Sequence, residues 1–211
     1  MSIKHEIEQA LQHIQQRAAA AQRTPERLPG ANDWLVTAKW TEVPQVYWSA
    51  SLGAGHKSDA VLRVREFLAH EAQHGRCLIL AGATGVGKTY AAVAGLRAWA
   101  GQSKHFFYFP SLCTNLLFSD HRMELLETAK RVRFVVFDAL GGEGAKEGSL
   151  LEMLIDQILF HREGNRNPTL LTTNLSPQQF AGRLSPQHMN KLQGKWGTIH
   201  ECRGPNLRHS E

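Results

Sequence analysis

The chain has 211 residues, 42% of them hydrophobic, enough for one full-sized core with roughly 50 residues left over as an appendage. Its 24 Lys and Arg against 19 Asp and Glu give a formal charge of +5, compatible with a polyanionic partner but too mild to identify one. Cys77, Cys113 and Cys202 stand far apart without a CxxC pair, no run is long enough to cross a bilayer, and the start MSIKHEIEQ has no apolar signal core. These features argue against a disulfide framework, a sequence-encoded zinc module and a membrane partner, and lead us to expect a soluble cytoplasmic protein with reduced thiols.

From Ser2 to Gln22, the apolar positions Ile3, Ile7, Ala10, Ile14 and Ala21 follow four- and three-residue steps, broken at Arg17. This spacing predicts a helix with one apolar stripe, packed on its own domain or docking a partner. Residues 23 to 60 hold Pro25, Pro29 and Pro44 together with Trp34, Trp40 and Trp48, which predicts short regular structure in a linker pinned by aromatic anchors. The tryptophans have the chemistry to stack on bases, although a Trp in irregular chain is more often simply packed. We therefore divide the chain into an N-terminal helix and linker, 1–57, and a nucleotide-binding domain, 58–211.

Beyond residue 58 helices and buried strands alternate. Helices are predicted at Ser58 to His74, Lys88 to Ala100, around Leu112 to Lys130, and Ser149 to His161. Strands are predicted at Arg76 to Ala81, His105 to Phe109, Phe134 to Phe137, Thr169 to Thr172 and near Thr198 to Cys202. The alternation predicts an α/β fold whose parallel sheet is covered on both faces.

The strongest motif is LILAGATGVGKTYAAVAG, residues 78 to 95, which contains G-x-x-x-x-G-K-[ST] between a strand and a helix. Backbone N–H groups of Gly82, Ala83, Thr84, Gly85, Val86, Gly87, Lys88, Thr89 and Tyr90 are thereby expected around the phosphates of a nucleotide, at the positive end of a helix. Gly85 and Gly87 permit conformations and close approaches that a side chain would block. Lys88 is expected to reach the β- and γ-phosphates, and the Thr89 hydroxyl to complete a Mg²⁺ shell. Asp138 ends an apolar strand about 50 residues downstream, where a Walker B acid would orient that Mg²⁺. ATP and Mg²⁺ are the cofactors these residues call for.

Two branches of nucleotide-binding fold compete. DALG, Asp138 to Gly141, satisfies the D-x-x-G of a GTPase, and NKLQ, Asn190 to Gln193, nearly satisfies N-K-x-D. Guanine recognition needs a carboxylate to accept from the base, however, and Gln193 is neutral; NKLQ also does not leave a strand. In the other branch, the series GATGVGKT, VVFDALGGE, TLLTTNLSPQQF and RGPNLR resembles the DnaC/IstB family of AAA+ ATPases, helicase loaders and transposition helpers, over roughly residues 50 to 208. The resemblance implies an AAA+ P-loop fold, Asn174 as a sensor of the γ-phosphate or attacking water, and Glu143 as an acid near the site. It also implies side-by-side assembly of copies on DNA, and a helicase or transposase-like partner addressed by the N-terminal part. Candidate DNA contacts are Lys104, Arg122, Lys130, Arg131 and Arg133, with scattered basic residues on a solvated face as the plainer account.

The chain departs from the family pattern in two places that matter for catalysis. After the Walker B aspartate the family usually has Asp or Glu, and here Ala139 cannot polarise water. Where the family offers an arginine to the neighbouring subunit, this chain has Lys191, which lacks the planar fork of a guanidinium. Arg183 and Glu143 are the substitutes in reach. We thus expect tight ATP binding with hydrolysis that is slow or completed by a partner, and keep a nucleotide-locked scaffold as the alternative. The eleven histidines show no metal-ligand spacing in sequence.

Overall fold

The computed structural model describes residues 34–53, 58–101, 103–141, 150–182 and 186–207; the predicted helix at 2–22 lies outside them. Five parallel strands form one sheet in the order β2-β3-β4-β1-β5: β1 Cys77–Ala81, β2 Lys104–Tyr108, β3 Phe134–Asp138, β4 Thr169–Thr172 and β5 Gly197–Glu201. Every residue of β1, β3 and β4 is buried, as expected of strands covered on both faces.

The period-two alternation of side chains divides the core into two layers. Leu78, Leu80, Phe134, Val136 and Leu170 face one side, where they meet helices α2 (Asp59–Glu66) and α3 (Lys88–Ala98). Cys77, Ile79, Val135, Phe137 and Leu171 face the other, against α4 (Phe109–Phe118), α5 (Arg122–Arg131), α6 (Leu150–Gly164) and α8 (Pro186–Gln193). A short helix α7, Pro177–Ala181, follows β4 and is fastened by a capping box between Ser176 and Gln179.

The prediction of one helical stretch from Leu112 to Lys130 needs correction, because the chain forms two helices there. Ser119–Asp120–His121 interrupts them, and the Ser119 hydroxyl accepts from the His121 N–H at 3.1 Å, the local side-chain bond by which serine competes with helical pairing. Within the Trp-containing segment, α1 (Trp34–Trp40) carries Ala38 into the same core as α3. The Trp34 indole N–H donates to the Trp48 carbonyl at 2.7 Å and that of Trp48 to the Val43 carbonyl at 2.8 Å. These two tryptophans therefore brace their own segment, the packed role set out above. The side chain of Trp40 lies outside the described residues.

At the amino ends of β3 and β4, Arg162 of α6 is completely buried, and no carboxylate among the described residues pairs with it. Its guanidinium instead donates to the carbonyls of Ala129, Val132 and Pro168, each at 2.9 Å, and to the Thr169 hydroxyl at 2.8 Å, with longer bonds to the Lys130 and Arg133 carbonyls. Burial pulls its pKa down to about 9, so it remains charged at neutral pH. Methionine would fill the volume but leave several buried carbonyls without donors. We expect Arg162→Met to lose about 2–4 kcal/mol of stability in chemical denaturation. A loss below about 0.5 kcal/mol, the scale of an ordinary surface change, would show the cage to be dispensable.

Candidate nucleotide site

All five strands point their carboxyl ends at one edge of the sheet, the edge where open α/β sheets place ligands. β1 runs into the loop Gly82–Gly87, which opens α3. Gly82, Gly85 and Gly87 have φ of 123°, 90° and 90°, so the turn depends on conformations that side-chain-bearing residues rarely take. The Lys88 side chain is only 5% exposed, and its ammonium donates to the Gly82 and Ala83 carbonyls at 2.8 and 2.7 Å. The loop, the helix mouth and one ammonium thus converge, which is the architecture of a phosphate cradle.

β3 delivers Asp138 beside it. Thr89, on the first turn of α3, donates to Asp138 Oδ1 at 2.9 Å, and Thr172, the last residue of β4, donates to the same oxygen at 2.6 Å. The contact exists because β4 lies between β1 and β3 and ends level with them. Asp138 is 7% exposed; burial raises its pKa above the ordinary carboxylate value, opposed by the bonds from Thr172 and Thr89 and by the charge of Lys88. Thr89 and Asp138 thus meet at the carboxyl edge of the sheet, beside the glycine loop and the Lys88 ammonium.

Ala139, at the position of the absent acid, has φ 65°, the left-handed region. Its N–H donates to the Thr172 hydroxyl at 3.0 Å, and Leu140 N–H donates to the Thr172 carbonyl at 2.8 Å. Asn174 is exposed in the turn after β4. That turn is bonded to the phosphate loop, since Gly82 N–H donates to the Leu175 carbonyl at 2.9 Å. Tyr90 faces the N-terminal segment, its hydroxyl accepting from Ser51 N–H at 3.3 Å. Glu143 and Arg183 lie outside the described residues, as does the side chain of Lys191, whose backbone belongs to α8. NKLQ is the end of that helix, leading into β5, so it is not a base-reading loop at a strand end.

Thr172 is a member of the site that motif reading missed; a strand-end threonine carries no signal until its neighbour is known. The strap from Arg203 to Leu207, part of the RGPNLR motif, also reaches the site, a contact the motif alone did not indicate. Leu207 N–H donates to the Gly85 carbonyl at 2.9 Å, and a Cβ at Gly85 would lie 2.0 Å from Asn206 Oδ1, so this segment lies directly against the loop.

The proposed DNA contacts fare unevenly. The half-buried Lys104 ammonium caps α3 through the Arg97 and Trp99 carbonyls at 3.3 and 3.0 Å, and burial lowers its pKa. Lys130 and Arg131 both bind Glu127, and Arg133 donates to Asn167. Arg122 opens α5 on an exposed position.

No family model matches this sequence, and no curated protein matches it. Among solved structures, a DnaC helicase loader superposes with a TM-score of 0.62 at 26% identity, covering 75% of this chain and 99% of that one. DnaI superposes at 0.65 with 27% identity, covering 78% of this chain and 94% of that one. The replication initiator DnaA, bound to AMPPCP and single-stranded DNA, shares the fold at 0.60 with 17% identity, covering 75% of this chain and 51% of DnaA. The fold is that of an AAA+ P-loop NTPase, and the structural neighbours are those of a DnaC/IstB-like ATPase. Among the described residues, no helix is long and apolar enough to cross a membrane.

Proposed function

We propose that this chain binds ATP with Mg²⁺ and acts on DNA as a helicase loader or transposition helper, assembling with further copies in an ATP-dependent way and hydrolysing ATP weakly or under a partner's stimulus. The observation that carries the reading is the contact of Thr89 and Thr172 on one oxygen of Asp138, beside a glycine loop that opens a helix. The likeness to DnaC and DnaI supports the loader role.

In this reading the backbone N–H groups of residues 82 to 90 hold the phosphates. Lys88 exchanges its carbonyl partners for phosphate oxygens, and Thr89 with Asp138 holds the ion. Bound Mg²⁺ supplies charge neutralisation on the phosphates. Asn174 would orient the γ-phosphate or a water, and Lys191 or Arg183 would act across a subunit boundary. Ala139 favours one alternative, a scaffold locked by its nucleotide, since an alanine offers water no acceptor.

Light scattering of the purified chain with ATP or ADP, with and without single-stranded DNA, tests the assembly. We expect larger species with ATP and DNA affinity that falls steeply with salt. A monomer under every condition, together with salt-indifferent DNA binding, would sink the loader reading; a monomer that still binds ATP would leave the scaffold.

Asp138 also makes a pH-dependent prediction. Its folded pKa lies above the unfolded value, so protonation favours the folded state, and the cost of its ionised form sets in as pH rises through that window. In an Asp138→Asn variant the amide oxygen would still accept from Thr89 and Thr172. The substitution should therefore raise the melting temperature of the nucleotide-free protein at pH 7, by an amount that shrinks toward the carboxylate range, and abolish the extra stabilisation that Mg²⁺ adds to ATP. A lower melting temperature at pH 7 with Mg²⁺ dependence intact would contradict both halves.

A further inference from the structure

The carboxyl end of β5 brings two donors, His200 and Cys202, against a third from the first turn of α2, Asp59. His200 Nε2 lies 2.9 Å from Asp59 Oδ2, across 141 positions of chain, and the same oxygen accepts the Arg203 N–H at 3.0 Å. Cys202 completes the group: one ligand atom from each of Asp59, His200 and Cys202 falls within 4.8 Å of the others.

Each donor is positioned by backbone. Ser58 caps α2 by accepting from the Val61 N–H, which fixes Asp59 on the first turn, and Cys202 N–H donates to the Ala81 carbonyl at 2.8 Å, which fixes the thiol beside the root of the phosphate loop. Cys202 is 4% exposed, whereas the side chains of His200 and Asp59 are 28% and 38% exposed. A buried sulfur with two partly open partners provides both a dry anchor and a way in.

Tetrahedral Zn²⁺, with bonds of roughly 2.0–2.3 Å, sets its ligand atoms about 3.3–3.8 Å apart. The observed spacing reaches this with shifts of about 1 Å, within the freedom of the two partly exposed side chains. A set of one nitrogen, one sulfur and one oxygen donor suits a borderline transition metal and does not suit Mg²⁺ or Ca²⁺, which take oxygen ligands. Burial and the charge of Asp59 hold the Cys202 thiol protonated, against the charge of Lys88; a cation seated between the three groups reverses that balance and displaces the proton. A simple ion pair of Asp59 with His200, fastening α2 to β5, accounts for the carboxylate and the imidazole. The sulfur, on that account, only packs in the apolar layer with Leu78 and Leu80.

We propose that Asp59, His200 and Cys202 form a three-ligand Zn²⁺ site whose fourth position is open to water or another small ligand. The filled site ties α2 to the strap Arg203–Leu207, and so bears on the loop at Gly85.

The full-length chain, stripped with chelator and kept free of nucleotide, is titrated with Co²⁺ and then Zn²⁺; no step depends on the phosphate site. One equivalent of Co²⁺ should give a thiolate-to-cobalt charge-transfer band in the near ultraviolet, which Zn²⁺ removes. Cys202→Ser should lose the band, His200→Ala should weaken binding roughly tenfold or more, and Cys113→Ser should leave both unchanged. If circular dichroism shows that Cys202→Ser fails to fold, the partly exposed His200 decides the matter. Absence of the band in the folded wild type, or metal affinity unaffected by His200→Ala, overturns the proposal and returns Asp59 and His200 to an ion pair.

Discussion

Lys88→Ala should yield a folded protein that has lost ATP, with affinity down by about 100-fold or more, some 2.7 kcal/mol. The reason lies in what the ammonium touches. Buried at 5% exposure, it donates to the carbonyls of Gly82 and Ala83, so the same charge that gathers the loop is the one offered to phosphate oxygens. Alanine removes a desolvated cation from a cradle that must accept several negative charges, and hydrogen bonds to charged groups are the stronger kind. The loop geometry itself rests on glycines and on the Leu175 and Leu207 bonds, which the substitution leaves in place. Calorimetry with Mg²⁺ and ATP measures the effect, and circular dichroism checks the fold. Wild-type affinity in Lys88→Ala would remove this ammonium from the phosphate contacts, and no heat from the wild type with either purine triphosphate would remove the nucleotide from the protein's chemistry.

The second large effect is a gain. Ala139→Asp should raise steady-state ATP turnover by about 100-fold, the scale of one positioned acid-base group. The backbone accepts the change: Ala139 has φ 65°, a region where Asp and Asn are enriched over other non-glycine residues, and its N–H bond to Thr172 does not involve the side chain. Ala139→Gly is the control. It relieves the left-handed strain, adding about 1 kcal/mol of stability, and brings no acid. If Ala139→Asp binds ATP and turns over no faster, hydrolysis is limited elsewhere, at the subunit boundary or by an absent partner. Brisk wild-type turnover that Glu143→Gln leaves untouched would show that the missing acid was never needed.

The parts of this fold that could be read from residues were those encoded locally. The central strands β1, β3 and β4 are short, fully buried runs, and all five strands lie within a residue or two of the expected positions. Gly82 to Thr89 is contiguous, so its loop was legible as well. The break at Ser119–His121 was not, because α4 and α5 each continue a helical apolar pattern and only a serine side chain marks the join. Pairings across the sheet were the least legible. Thr172 reaches Asp138 only because β4 enters between β1 and β3, and Asp59 meets His200 only because the amino end of α2 comes to the edge strand β5. The basic residues show the opposite failure: Lys104 reads as surface charge, yet its ammonium closes a helix end.

Arg162 and the phosphate cradle sit at opposite ends of the same strands. The guanidinium gathers the amino ends of β3 and β4, while Asp138 and Thr172 terminate their carboxyl ends, roughly 13 Å away along the strand. The sheet therefore has a ballasted keel and a working deck. Damage to the keel lowers the temperature at which the whole vessel founders, yet in the surviving native population the grip on cargo at the deck is unchanged.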